Sequence, residues 1–144
     1  MTDTPDPRAE TARQFIEALP HCKALAMEVV EIGYGRAVMS MPWDEKLVGD
    51  PGTGVIHGGA VSSLMDTCGG TAVMTHPNGP LTTATLDLRI DYMRPATPGQ
   101  GITATATCYH MTRTVAFVRA VATDDDTENP VAAATGAFTV TTSS

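Results

Sequence analysis

The chain has 144 residues, a length that fits one domain able to bury a core without staples. Its formal net charge of −7 excludes nucleic acid and anionic membrane surfaces as main partners, since both select basic patches. Three cysteines without CxxC spacing argue against a disulfide framework and point to a reducing, cytoplasmic setting, and neither a secretory signal nor an apolar run of about 18 residues is present.

In chain order, Ala9, Ala12, Phe15, Ile16 and Leu19 recur at helical spacing and predict a short amphipathic helix over 7–19, ended by Pro20. It belongs to an N-terminal segment, 1–21, that precedes a single domain over 22–144. Leu25, Met27 and Val29 alternate with Ala26, Glu28 and Val30. After Gly33-Tyr34-Gly35 the alternation resumes over 36–41, which reads as a β-hairpin. Residues 42–56 are rich in turn formers and long for a connection, a pattern often functional. A helix over 58–75 follows and stops at His76-Pro77-Asn78-Gly79-Pro80.

Four strands are then predicted, over 83–93, 102–111, 114–123 and 131–141, with an acidic surface turn over 124–130. In the first, Ala84, Leu86, Leu88, Ile90 and Tyr92 form a face expected to be core, and Thr83, Thr85, Asp87, Arg89 and Asp91 the outward face. The order predicts an α+β fold, an antiparallel sheet with its long helix on one face.

The long helix carries the chemistry. It opens at His57-Gly58-Gly59, and glycines at a helix start leave unpaired N–H groups open to an approaching oxygen, where the macrodipole favours negative charge. The apolar stripe runs Val61, Leu64, Met65, Cys68 and Ala72. Asp66 lies off that stripe, on a side shared with Gly59, Ser62, Gly69 and Gly70, so a slender ligand or a second backbone has room there. The four histidines show no metal-ligand spacing, and no metal or other cofactor is expected.

With His57-Gly58-Gly59, Asp66 nine residues on, and a strand ending Asp91-Tyr92-Met93-Arg94-Pro95-Ala96, the sequence resembles the hotdog-fold acyl-CoA thioesterases of the phenylacetate-pathway (PaaI-like) type over roughly residues 22–141. The resemblance implies a hotdog fold, a sheet wrapped around the central helix. It implies thioester hydrolysis with Asp66 as nucleophile or general base, the Gly58 N–H as oxyanion donor, and His57 positioning the loop. It also implies a homodimer or homotetramer whose sites combine the helix-start glycine of one chain with the carboxylate of its partner. Gly59 is expected at the substrate, and Thr85 matches a hydroxyl that holds the attacking water.

One departure concerns the amide side chain that relatives carry six residues before the histidine. Here that position is Pro51, and the neighbouring Asp50, if ionised, accepts hydrogen bonds without donating any. Asp50 is left to orient His57 or a water, or simply to begin the turn. Arg94, Arg113 and Arg119 are candidate partners for the phosphates of CoA. Two rival functions fit the same fold, a hotdog acyl-thioester hydratase or dehydratase and a non-catalytic acyl-CoA-binding protein.

Overall fold

The structure, a computed structural model, describes residues 6–80 and 82–141. Helix α1 (Ala9–Ala18) buries Ala12 and Ile16. It ends before Pro20 as the sequence predicts, with Leu19 extended, and Pro20 then opens a further short helix, α2 (Pro20–Ala24), because its fixed φ and missing N–H suit a first helical turn. Strands β1 (Glu28–Gly33) and β2 (Arg36–Met41) form the expected hairpin, turning through Gly33, Tyr34 and Gly35 at positive φ. Segment 42–56 holds a 3-10 turn (Glu45–Leu47) and a small ribbon of β3 (Val48–Asp50) and β4 (Val55–Ile56), so it is not the open loop that its turn residues indicate.

The central helix α3 (Gly58–Met74) is followed by β5 (Thr85–Tyr92), β6 (Ile102–Met111), β7 (Val115–Thr123) and β8 (Ala132–Thr139). The main sheet runs β1-β2-β6-β7-β8-β5, with every neighbouring pair antiparallel. It wraps α3, the predicted α+β hotdog arrangement. Ala104, Ala106, Ala116 and Ala122 line its inner face at 0% exposure, and such short side chains let α3 settle close to the sheet. The helix fills that space with Leu64, Met65 and Cys68, also at 0%, while Val61 and Ala72 complete the predicted stripe. Each large apolar side chain so buried contributes about 1.5–3 kcal/mol relative to exposure.

Two placements differ from the sequence pattern. Gly69 belongs to the core and not to the Asp66 side: a Cβ there would lie 2.9 Å from Cζ of Phe138, so only glycine lets that ring seat against the helix. The apolar face of β5 is not core within this chain. Leu86 and Tyr92 are 57% and 53% exposed and Leu88 and Ile90 half-buried, because β5 is a sheet edge that α3 only partly covers. Just past the far end of α3, Arg8 donates to the carbonyls of Thr75 and His76 while Asp6 holds its guanidinium, a clasp that ties the residues before α1 to the end of the central helix. Among the described residues no helix is long and apolar enough to cross a membrane, and no cluster of three or more His, Cys, Asp or Glu is arranged to hold a metal ion.

Candidate active site

The start of α3 is built by His57. Its Nδ1 accepts the Gly59 N–H at 2.7 Å, and its carbonyl accepts the Ala60 N–H at 3.0 Å. A neutral imidazole that accepts at Nδ1 carries its proton on Nε2, which suits a capping role and not proton abstraction at that nitrogen. The Gly59 N–H is therefore engaged, whereas the Gly58 N–H has no partner among the described residues. Gly58 lines a cleft of about 440 Å³ with Val61, Tyr92 and Met93. The Tyr92 hydroxyl donates to the Gly58 carbonyl at 3.0 Å, and a Cβ at Gly58 would come within 3.3 Å of the ring. Tyr92 thus ties the helix start to the edge strand, a role the sequence hides in an ordinary strand alternation.

The carboxylate of Asp66 lies further along the same helix and is half-buried. The Thr85 hydroxyl donates to its Oδ1 at 2.6 Å. Strict alternation puts Thr85 outward with Asp87, Arg89 and Asp91, and the structure corrects this. A bulge between Thr85 and Asp87 pairs Thr85 with Phe138 on the helix side, while Asp87 stays outward opposite Ala137. The hydroxyl expected to hold a water instead holds the carboxylate. Oδ2 of Asp66 has no hydrogen-bond partner among the described residues, and the side chain borders a cavity of about 300 Å³ with Ser62, Ser63, Leu88 and Ile90.

Gly58 and Asp66 do not meet within one chain. Eight residues of α-helix separate them by about 12 Å along the axis, too far for one reacting carbonyl to touch both. Each chain presents these two groups at separate places along α3. Asp50 begins the turn: its Oδ1 accepts from the Gly52 N–H at 2.9 Å, and its carbonyl accepts from Thr53 and Gly54.

The arginines divide. Arg94 borders the Gly58 cleft but is no free phosphate ligand, because Asp124 takes its guanidinium bidentately at 2.8 and 2.6 Å and the carbonyls of Asn129 and Pro95 take two more N–H groups. That guanidinium holds the Asp124 carboxyl well below the ordinary carboxylate range, against the opposing effect of burial. Arg119 lies on the sheet face away from α3, since its neighbours Val118 and Ala120 are buried beneath the helix, and it stacks 4.0 Å over the Tyr109 ring. It is therefore not gathered with Gly58 or Asp66. Arg113 sits exposed between β6 and β7, with no ion pair among the described residues. Cys68 is buried, its thiol pushed up to about 12 by desolvation, which removes it as a nucleophile.

A helix opening on a capped glycine pair, laid across an antiparallel sheet, gives the chain a hotdog fold. The family profile of the thioesterase superfamily matches residues 53–131, more than half of the chain, and the chain belongs to that family. A protein of Halobacterium salinarum that carries an esterase name is 33% identical over 94 residues, 63% of this chain and 62% of its own. The chain thus spans less than two thirds of that relative's length.

Among solved structures, a Pseudomonas aeruginosa protein is 38% identical with a TM-score of 0.82, over 94% of this chain and 100% of its own. A mutant of the phenylacetic acid degradation protein PaaI from Thermus thermophilus is 28% identical with a TM-score of 0.75, over 85% of this chain and 100% of its own. The chain shares the hotdog fold of these neighbours.

Proposed function

We propose that the protein hydrolyses an acyl-CoA or related thioester, with Asp66 as the catalytic carboxylate and the Gly58 N–H of a second copy as oxyanion donor. The observation that carries this reading is the Asp66 carboxylate, fixed at one oxygen by Thr85 and open at the other beside a cavity. The open oxygen either attacks the thioester carbonyl or takes a proton from a water that does. The tetrahedral oxyanion then needs a preorganised donor, whose loss typically costs about 10²–10³ in rate. The unpartnered Gly58 N–H at the positive end of α3 is suited to that task. Collapse of the intermediate breaks the C–S bond, and the released thiolate takes up a proton; where Asp66 itself attacks, a water then hydrolyses the acyl–Asp66 anhydride, freeing the acid and restoring the carboxylate.

Because Gly58 and Asp66 lie about 12 Å apart on one helix, the two half-sites require two chains. The β5 edge, with Leu86 and Tyr92 exposed, offers open backbone groups and an apolar face to a second β5 in an isologous pair. The buried, unpaired thiols of Cys22, Cys68 and Cys108 fit action in the cytoplasm.

The test is free-thiol release from a panel of acyl-CoA thioesters. Asp66→Asn lowers kcat on the best substrate by at least about 10²-fold, the lower range for a general acid–base group, with thermal stability close to the parent. Turnover retained in the variant removes Asp66 from the mechanism. A parent protein that binds thioesters without releasing thiol is a binding protein instead.

A further inference from the structure

A tetrahedral oxyanion is best held by more than one preorganised donor, and at the start of α3 the Gly58 N–H is the one backbone donor without a partner among the described residues lining the cleft there. A hydroxyl stands beside it. Tyr92 lines the same cleft, its oxygen 3.0 Å from the Gly58 carbonyl and 3.6 Å from where a Cβ on Gly58 would lie, near enough for one oxygen in the cleft to meet both donors. We propose that Tyr92 is a catalytic residue whose hydroxyl turns from the Gly58 carbonyl to the thioester oxygen of the substrate and completes the oxyanion hole. The inference rests on the thioesterase reading above and adds a residue to its site.

Elimination along the cleft wall points to the same hydroxyl. Among the described residues the other lining side chains are aliphatic, proline or thioether, apart from Arg94, whose guanidinium is already taken by Asp124 and by the carbonyls of Asn129 and Pro95. The backbone N–H groups of Met93 and Arg94 are taken by the Val131 carbonyl. Releasing Tyr92 costs little, because a phenol hydrogen rotates about its C–O bond and the Gly58 carbonyl, in the first turn of α3, remains an acceptor in the helical ladder. The hydroxyl keeps its proton throughout and serves only as a donor.

The place of Tyr92 in β5 agrees with this role. Thr85 begins the strand and Tyr92 ends it, and both hydroxyls bond to groups of α3, so they lie on one face. Two β5 edges paired antiparallel about the middle of the strand set Tyr92 of one copy against Thr85 of the other. Such a pair brings the Gly58–Tyr92 end of one chain beside the Asp66–Thr85 pair of its neighbour, with the hydroxyl donor and the carboxylate on opposite sides of one thioester.

The experiment follows free-thiol release, on the best substrate of an acyl-CoA panel, by the parent, by Tyr92→Phe and by a protein carrying 3-fluorotyrosine in place of Tyr92. Phenylalanine keeps the ring and removes the donor. Tyr92→Phe lowers kcat by at least about 10-fold, toward the 10²–10³ that a full oxyanion donor carries, with KM within about threefold of the parent. The fluorinated protein keeps the donor and works at neutral pH. Its phenol is more acidic and a phenolate donates nothing, so its rate falls off at a lower alkaline pH than that of the parent, a shift that ring packing alone does not produce and that is read whether or not Tyr92→Phe folds. A fall in kcat of less than 10-fold in folded Tyr92→Phe, a fall matched by an equal rise in KM, or alkaline limbs that coincide overturn the donor role and leave the thioesterase reading standing. Failure of the parent to release thiol from any thioester overturns both.

Discussion

Thr85 and Asp66 meet across nineteen positions of sequence, the Thr85 hydroxyl donating to Asp66 Oδ1 at 2.6 Å, and only the bulge in β5 makes that contact possible. The bond orients the carboxylate and leaves Oδ2 without a hydrogen-bond partner among the described residues. In the proposed reaction Thr85 is a positioning residue.

Thr85→Val keeps the shape and removes the donor. Hydrogen bonds to charged groups are worth about 1.5–3 kcal/mol, so kcat falls about 10-fold or more, while KM changes little. Thr85→Ser restores most of the rate. Steady-state kinetics on the three proteins check this, and an unchanged kcat in Thr85→Val contradicts the positioning role.

The Asp50 side chain accepts from the Gly52 N–H in a local turn. Asparagine makes the same turn through its side-chain oxygen. Asp50→Asn therefore stays within about 0.5 kcal/mol of the parent in stability and keeps or raises activity, measured by denaturant melts and thiol release. A large loss of rate would show that the Asp50 charge itself is used.

The Arg94–Asp124 pair braces the wall of the Gly58 cleft and predicts a pH dependence. The Asp124 side chain is fully buried, and its carboxyl is held well below the usual range chiefly by its hydrogen bonds to Arg94. A depressed folded-state value gives stability that is present above the ordinary carboxylate value of about 3.9 and is lost as pH falls toward the folded value. The parent thus loses stability below about pH 4. Asp124→Asn is less stable at neutral pH and shows a shallower decline in acid. Urea midpoints across pH for the two proteins check the difference in slope, and parallel curves contradict it.

The sequence made the central helix legible because its stripe of Val61, Leu64, Met65, Cys68 and Ala72 faces the sheet, and a 3.6-residue period carries that information locally. The succession of the hairpin and the four later strands was equally readable from alternation and turn residues, whereas their order in the sheet, with β5 beside β8, was not. Thr85 was misplaced because one extra residue in β5 reverses the faces before it, and a bulge has no signature in a period-two pattern. Arg94 read as a phosphate partner because Asp124 lies thirty residues away in sequence, so their pairing belongs to the fold and not to either motif. The apolar face of β5 looked like core because alternation reports that a face wants cover, not which molecule covers it.

The central claim is that each site joins Gly58 of one copy to Asp66 of another, and mixing two inactive variants tests it most directly. His57→Ala removes the cap that sets the Gly58 amide, and Asp66→Asn removes the carboxylate. The test requires that each variant alone be folded, by circular dichroism, and at least about 10²-fold slower than the parent. Unfolded and refolded together in equal amounts, with subunit exchange verified by mass, they form mixed dimers in which one site carries both lesions and the other neither. The account predicts recovery of about a quarter of the parent's sites, read as free-thiol release. Verified mixing with no recovered activity would contradict a site shared between chains.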